Sequence, residues 1–185
     1  MKNYLNNLSR EFRDLIAKAS DISAKVNMPA YLVGGFVRDL MLGEKNLDLD
    51  IVVEGDGIRF AEELAAALGA GLIRHVRFGT ATILIGVDSK IDIATSRREH
   101  YPKPAALPLV QKGGLKDDLA RRDFSINAMA ISINKTSFGE LIDFFGGPAD
   151  LSRKKIRVLH SRSFIDDPTR VLRAVRFEQR YAFGI

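Results

Sequence analysis

The chain contains no cysteine and no tryptophan, and none of its apolar runs approaches 18 residues. Without cysteine there is no disulfide scaffold and no thiolate metal ligand, which fits a reducing compartment such as the cytoplasm. The short apolar runs do not predict a transmembrane helix, and the charged, amphipathic first 25 residues do not resemble a signal peptide. We therefore expect a soluble, cytoplasmic protein with no membrane partner.

Two common nucleotide-binding motifs are also missing. The sequence has neither a G-x-G-x-x-G fingerprint nor a G-x-x-x-x-G-K-[ST] loop, which argues against a dinucleotide-binding protein, a kinase or a P-loop ATPase. His75, His100 and His160 are far apart without ligand spacing, so we expect them on the surface or in loops.

The apolar pattern predicts an α+β fold, a mixed sheet with flanking helices, because helical and strand periods alternate irregularly. A basic stretch at 96–116, rich in Pro and Gly and without periodicity, is predicted to be a long, functional loop. The predicted helices are 4–26, 37–42, 58–68, 124–131 and 168–181; the predicted strands are 30–33, 47–53 and 141–144, with a hairpin of 80–87 and 90–94 around Asp88-Ser89.

Charge is unevenly distributed along the 185 residues. Residues 151–185 contain nine Lys and Arg against three Asp and Glu, a net charge of +6, and since the whole chain carries +5, residues 1–150 carry −1. A basic C-terminal segment suits a polyanion such as a nucleotide or RNA, although a charge run is also typical of a solvated face.

Two carboxylates lie on one face of a predicted strand. Asp48 and Asp50 are two residues apart, about 6–7 Å along a strand, and the intervening Leu49 points to the other side. The Gly34-Gly35 turn nearby offers backbone N–H groups to phosphate. The combination indicates a nucleoside triphosphate held by Mg²⁺; the alternative is an ordinary solvated strand face.

A third carboxylate is a candidate for the same cluster. Asp92 lies on the second strand of the predicted hairpin, facing away from Ile91 and Ile93. If that strand neighbours the one with Asp48 and Asp50, three carboxylates converge, and such a cluster is a good clamp for two Mg²⁺ ions.

Two helices are predicted to carry further nucleotide contacts. The segment 121–130 begins the helix predicted at 124–131; Ile126 and Met129 would face the core and leave three residues on the polar side, Arg122, Asp123 and Asn127. Arg122 suits a phosphate. Asp123 suits a ribose hydroxyl or, equally, the cap of the helix.

In the helix that follows Asp167-Pro168, Val171, Leu172 and Val175 are predicted to pack inward. Asp167 and Arg170 are one turn apart and either pair with each other or read a base. A carboxylate accepts from an exocyclic amine while a guanidinium donates to a ring nitrogen, which would admit ATP and CTP and reject GTP and UTP.

Four segments together resemble the bacterial-type (class II) tRNA nucleotidyltransferase and poly(A) polymerase family. They are LVGGFVRD (32–39), DLD (48–50), RRDFSINAMA (121–130) and DPTRVLRAVRF (167–177), in the family's order and spacing. The resemblance implies a DNA polymerase beta-like head domain at 1–150 and the start of a helical neck at 151–185. Because such proteins continue into neck, body and tail regions, we expect this chain to be a truncated one.

The resemblance also implies a role for each matching residue. Asp48, Asp50 and Asp92 would be metal ligands, Gly35, Arg38 and Arg122 would hold the triphosphate, and Asp123 would contact the ribose. Asp167 and Arg170 would read the base, with Arg173 and Arg176 supporting nucleotide binding. Asp166 stands where the family usually has Glu.

The implied activity is addition of CMP, AMP or both to the 3′ end of tRNA, with ATP and CTP as substrates and Mg²⁺ as cofactor. The RNA 3′-OH would attack the α-phosphate and release pyrophosphate in a two-metal mechanism. A poly(A) polymerase of the same family, a nucleotidyltransferase acting on a small molecule, and a catalytically silent nucleotide- or RNA-binding module are the alternatives.

Overall fold

A computed structural model describes residues 4–44, 48–86 and 89–185. The chain forms two compact units. The first unit contains the residues up to Ser96 and Ala130–Ile142; the second unit contains Arg97–Met129 and Asp143–Ile185. The predicted boundary between residues 150 and 151 concerns the organisation of a larger protein and stays a prediction.

A mixed sheet of seven strands confirms the predicted α+β class. The strands are β1 (Ala30–Val33), β2 (Leu49–Val53), β3 (Gly71–His75), β4 (Thr80–Ile85), β5 (Ser89–Thr95), β8 (Met129–Ser132) and β9 (Leu141–Asp143), with β6 (Arg97–His100) and β7 (Leu109–Lys112) in a separate hairpin. The order in the sheet is β3-β4-β5-β2-β1-β8-β9. Strand β2 pairs in parallel with β5, while β1–β2, β1–β8, β3–β4 and β4–β5 pair antiparallel.

Three helices of the first unit begin and end where local chemistry favours it. They are α1 (Arg10–Val26), α2 (Gly35–Leu42) and α3 (Gly57–Leu68). Asp56 caps α3 by accepting from the amides of Ile58 and Arg59 at 3.0 and 3.1 Å, and Gly69 ends it in the left-handed conformation. Sequence signals therefore place this helix to within one residue.

One face of the sheet forms the core of the first unit. Leu49, Ile51, Ile91 and Ile93 alternate along β2 and β5 and are all buried. Helix α3 packs against β4 and β5, and α1 packs against α3. On the opposite face, the polar side chains Asp50, Lys90 and Asp92 lie at the starts of β2 and β5, before Val52 and Ala94.

One predicted element of the first unit, the N-terminal helix, needs correction at its start. The helix predicted at 4–26 is a 3₁₀ turn, Tyr4–Asn7, followed by α1, because the Ser9 hydroxyl accepts from the Phe12 amide and starts a new helix. The start of the strand predicted from Leu47 and the turn residue Asp88 lie outside the described residues. Strand β3 was not predicted, since it is largely exposed and lacks an alternating pattern.

The second unit contains four helices and the β6–β7 hairpin. The helices are α4 (Leu115–Ala120), α5 (Gly147–Ser152), α6 (Ser163–Asp166) and α7 (Thr169–Tyr181). The long loop predicted at 96–116 is wrong in its extent, since Arg97↔Lys112 to His100↔Leu109 pair as strands and α4 begins at Leu115. Residues 101–108, between the two strands, do form the irregular connection that was predicted. Every residue of β7 is exposed, so no apolar alternation marks it in the sequence.

The helix predicted at 124–131 is also wrong. Ser125–Asn127 make a single 3₁₀ turn, and the next residues form β8, whose four residues are all buried. A short apolar run that is buried on both faces carries no period that distinguishes strand from helix. Pairing with β1, with Tyr31 opposite Ser132, decides for the strand.

The inward face of α7 differs from the prediction. Val171, Leu172 and Val175 are 47%, 75% and 47% exposed, whereas Arg170, Ala174 and Phe177 are buried. These three buried residues have helical spacing, but the stripe includes an arginine, which apolar patterning assigns to solvent. Arg170 is nevertheless buried because it donates hydrogen bonds to Ser163 and to the Arg121 carbonyl within the second unit.

Candidate active site

A patch of three carboxylates and one lysine lies on the polar face of the first unit's sheet. Asp50 of β2 and Asp92 of β5 are register partners in a parallel pair, so their side chains leave the same face of neighbouring strands. The Thr82 hydroxyl donates to Asp92 Oδ1 at 2.7 Å, and Lys90 Nζ donates to Asp92 Oδ2 at 2.6 Å. The structure thus confirms that the strands that carry Asp50 and Asp92 are neighbours.

Asp48 is exposed and lies one residue before β2. Since Leu49 pairs with Ile91, continuing the register by one residue places Asp48 beside Lys90. The hydrogen bond from Lys90 to Asp92 and the charge of Asp92 raise the pKa of Lys90, and the charges of Asp48 and Asp50 raise it further. We call Asp48, Asp50, Lys90 and Asp92 the carboxylate patch.

The carboxylate patch has the donor chemistry of a site for a hard divalent cation, since its oxygens are the ligands that Mg²⁺ prefers. In the part of the chain that the structure describes, no three His, Cys, Asp or Glu side chains are arranged as a ready metal cluster. Lys90 supplies a positive charge against these oxygens instead. Lys90 and Thr82 were not predicted, although each falls on the same strand face as Asp92.

The N-terminus of α2 forms the second feature of the first unit. Gly34 has φ 66° and ψ −131°, a conformation that favours glycine, and it lets β1 turn directly into the helix. The first amides of a helix have no intrahelical acceptor, so this turn offers N–H groups to an anion.

Arg38, one turn into α2, is 5% exposed and forms a bidentate ion pair with Asp39, at 2.8 Å from Nε to Oδ1 and 2.9 Å from Nη2 to Oδ2. The family resemblance implied that Arg38 holds the triphosphate, and its ion-pair partner Asp39 was not predicted. The adjacent Arg-Asp pair in the sequence is the only signal for it.

In the second unit, Asp123 is 7% exposed and both its oxygens are engaged. Its Oδ1 accepts from the Phe124 amide at 2.8 Å and from Asn127 Nδ2 at 2.9 Å. Its Oδ2 accepts from Arg173 Nε at 2.8 Å and lies 2.6 Å from Arg173 Nη2. Asp123 and Asn127 are therefore buried, contrary to the predicted polar face.

Arg122 lies beside them, with Nη2 donating to Asp118 Oδ2 at 3.0 Å. Its Nε is buried without a hydrogen-bond partner among the described residues. Arg176, the last of the predicted nucleotide contacts, is exposed on α7.

Asp167 and Arg170 approach each other at 3.6 Å, from Arg170 Nε to Asp167 Oδ2, which is an ion pair without a hydrogen bond. Arg170 is 4% exposed, and it donates to Ser163 Oγ at 2.6 Å and to the Arg121 carbonyl at 2.9 Å. Asp167 accepts from the Thr169 amide and hydroxyl at 3.0 and 2.6 Å. The sequence left two roles open for Asp167 and Arg170: an ion pair with each other and contact with a base. These bonds agree with both roles.

A cavity of about 570 Å³ opens beside Arg170 in the second unit. Its lining includes Arg121, Tyr101, Asp166 and His160. Burial raises the pKa of Tyr101, and the charge of Glu99 adds to the effect. The cavity is large enough for a nucleobase and is lined by both donors and acceptors.

The poly(A) polymerase head domain family model matches residues 30–157. The chain belongs to this family. That membership confirms the family recognised from the four sequence segments. Enzymes of the poly(A) polymerase head domain family generally use divalent metal ions, which agrees with the donor chemistry of the carboxylate patch.

Curated relatives of this family are named as tRNA nucleotidyltransferases. An A-adding enzyme from Geobacter sulfurreducens is 52% identical over 164 residues, covering 89% of this chain and 19% of the relative. An A-adding enzyme from Halalkalibacterium halodurans is 47% identical, covering 95% and 41%. A CC-adding enzyme from Deinococcus radiodurans is 44% identical, covering 80% and 40%. The chain thus spans less than half the length of these relatives.

Solved structures agree with the fold. A CCA-adding enzyme from Thermotoga maritima complexed with tRNA has a TM-score of 0.83 and 48% identity, covering 97% of this chain and 40% of that one. A CCA-adding enzyme in complex with ATP has a TM-score of 0.86 and 48% identity, covering 98% and 42%. No helix in the described part of the chain is long and apolar enough to cross a membrane.

Proposed function

We propose that the chain is the catalytic part of a tRNA nucleotidyltransferase that adds AMP, CMP or both to the 3′ end of tRNA. The observation that carries the proposal is the register pairing of Asp50 with Asp92, beside a lysine, on the polar face of the sheet. Its relatives with A-adding and CC-adding names support tRNA as the acceptor. We also propose that the protein is cytoplasmic, because a chain without cysteine suits a reducing compartment and tRNA processing takes place there.

We propose that Asp48, Asp50 and Asp92 hold Mg²⁺. Such ions, when bound, supply charge neutralisation at the phosphates and a lower pKa for the attacking RNA 3′-OH. The chain's own part is to hold the carboxylates in register on two strands. The Thr82 hydroxyl orients Asp92 through its 2.7 Å bond, so one Asp92 oxygen is fixed in direction.

The remaining proposed roles concern the nucleotide. Gly34 and Gly35 present the first amides of α2 to the triphosphate, and Arg38, held by Asp39, adds positive charge to the same turn. In the second unit, Asp167 and Arg170 are proposed to read the base. Arg122, Asp123, Asn127, Arg173 and Arg176 are proposed to support the nucleotide, with Asp123 locking Arg173 in place.

The first test is binding of ATP, CTP, GTP and UTP to the chain with and without Mg²⁺. We expect ATP and CTP to bind more tightly than GTP and UTP, and Asp50→Asn to remove the Mg²⁺ dependence. Asp167→Asn keeps an oxygen for the Thr169 cap and should weaken the discrimination between bases. Asp14→Asn, an exposed aspartate of α1, is the matched control.

Equal affinity for all four nucleotides contradicts base reading, and affinity independent of Mg²⁺ contradicts the metal site.

The choice of acceptor is then measured with tRNA that ends before its final adenosine and with an unstructured RNA. One AMP added only to the tRNA supports the A-adding proposal. Processive addition to both identifies a poly(A) polymerase, and binding without transfer identifies a silent module.

A further inference from the structure

The position of Lys90 has a consequence for how the carboxylate patch takes up a metal ion. Its Nζ lies 2.6 Å from Asp92 Oδ2, while the other oxygen of Asp92 accepts from Thr82. Both oxygens of this carboxylate are therefore engaged. A metal ion that ligates Asp92 through Oδ2 meets the ammonium group of Lys90 at the same oxygen.

The lysine is a neighbour of the other two carboxylates as well. Lys90 precedes Asp92 by two residues and leaves the same face of β5, beside the position where the register places Asp48. Asp50 is the register partner of Asp92, so its side chain leaves the same face of the neighbouring strand. The ammonium group of Lys90 thus offsets the repulsion among three negative side chains, leaving a charge of −2 rather than −3.

The ion pair is accessible enough to exchange. The side chains of Lys90 and Asp92 are 51% and 37% exposed, so water and salt screen their attraction. The four-carbon stem of lysine is flexible, and the ammonium group can move into solvent without rearrangement of the strands. Nothing in the pair commits Asp92 to Lys90 permanently.

We propose that Lys90 is an exchangeable counter-cation of the carboxylate patch: it occupies Asp92 Oδ2 without a metal ion and is displaced when one binds. The inference rests on the proposed function, in which the patch holds the metal. Lys90 is a positioning residue here, because it keeps the carboxylates together in the metal-free protein and lowers their affinity for free divalent ions.

The test is a titration of the chain with Mn²⁺, followed by loss of the paramagnetic resonance signal of the free ion. Lys90→Met keeps a stem of similar length without the charge, and we expect it to bind Mn²⁺ about two- to fivefold more tightly, the range that exposed charge pairs contribute. Lys90→Arg should stay within about twofold of the wild type, since it keeps the charge. Lys25→Met removes a comparable exposed pair, with Glu63 at 2.7 Å, and should leave the affinity unchanged.

A second readout separates this role from a purely structural one. In EDTA, Lys90→Met should unfold at a lower temperature than the wild type because the three carboxylates then repel each other. Mn²⁺ should remove that difference, whereas a lost packing contact is not restored by metal. A deficit that persists in saturating Mn²⁺ overturns the proposal.

The remaining outcomes divide cleanly between the two proposals. If the wild type binds Mn²⁺, Asp50→Asn abolishes binding, and Lys90→Met binds no more tightly, the metal site stands and the counter-cation role is wrong. If neither the wild type nor Lys90→Met binds Mn²⁺, both proposals are wrong. Tighter binding by Lys90→Met that is lost with Asp50→Asn supports both.

Discussion

At the scale of single residues, Gly57 has no room for a side chain. A Cβ built on it would lie 2.7 Å from the Thr95 amide nitrogen and 2.9 Å from the Ala94 carbonyl carbon. Both are backbone atoms of a central strand, so neither moves easily. The Gly57 amide also donates to the Thr95 hydroxyl at 3.0 Å, which fixes the start of α3 against β5.

We therefore expect Gly57→Ala to lower the free energy of unfolding by about 1–3 kcal/mol, the cost of overpacking a filled site. Chemical denaturation followed by circular dichroism measures it. Gly71→Ala is the matched control, since its Cβ would meet only the Leu84 side chain at 3.7 Å. Equal losses in the two variants would contradict the steric argument.

Tyr31 provides a prediction about pH. Its hydroxyl donates to Glu54 Oε2 at 3.1 Å, and burial, followed by the charge of Glu54, raises its pKa to about 12. The folded protein thus keeps the phenol proton at a pH where the unfolded chain has lost it. The stability that Tyr31 contributes is complete below its unfolded pKa of about 10 and is lost as the pH rises through about 12.

In a comparison with Tyr31→Phe, we expect the wild type to lose more stability than the variant between pH 10 and about 12. Phenolate absorbance should show a group that titrates near pH 12 in the wild type and is missing in Tyr31→Phe. Glu54→Gln removes the charge but not the burial, so it should bring the pKa of Tyr31 part of the way back. Parallel stability curves for the wild type and Tyr31→Phe would count against this assignment.

At the scale of elements, α4 depends on a buried acid. Asp118 is fully buried, with Oδ1 2.6 Å from Arg121 Nη2 and Oδ2 3.0 Å from Arg122 Nη2. Both arginines follow within one turn, where α4 ends. One carboxylate therefore holds the guanidinium groups of Arg121 and of Arg122, the first of the proposed nucleotide contacts.

Replacement of Asp118 by alanine should cost about 3 kcal/mol of unfolding free energy, because a buried pair that loses one partner leaves charge without compensation. Asp14→Ala breaks an exposed pair on α1, 3.7 Å long, and should cost less than about 1 kcal/mol. Denaturant titrations of the two variants provide the comparison. A loss for Asp118→Ala as small as that for Asp14→Ala would show that the pair is not effectively buried.

At the scale of the whole molecule, the asymmetry of charge is the dominant feature. Residues 151–185 carry +6 against −1 for the rest of the chain. Arg153 and Lys155 belong to this basic segment and are exposed. Binding of a polyanion releases its counterions, and the dependence of affinity on salt counts the phosphates neutralised.

For a single-stranded RNA, we expect Arg153→Gln combined with Lys155→Gln to weaken binding and to reduce the slope of log affinity against log salt by about 1.4. The charge-matched control, Arg10→Gln combined with Lys18→Gln on α1, should leave the slope unchanged. Fluorescence anisotropy at several salt concentrations measures both. The same slope in all three proteins would exclude the basic segment as an RNA contact.

What the sequence determined by itself is mostly local. The cap at Asp56, the stop at Gly69 and the alternation of β2 are set by neighbouring residues, so they are predictable within a residue or two. The four motif segments identified the family for a related reason, because within each segment the residues that carry chemistry are close together in the chain.

Tertiary structure decided the features that depend on distant partners. The stretch at 129–132 is a strand because β1 pairs with it, and Arg170 points inward because Ser163 and the Arg121 carbonyl accept its hydrogen bonds. Asp50 meets Asp92 only through the parallel pairing of β2 with β5, which also brings Lys90 beside the acids. Local propensities are too weak to predict such contacts, since buried hydrogen bonds and strand pairing outweigh them.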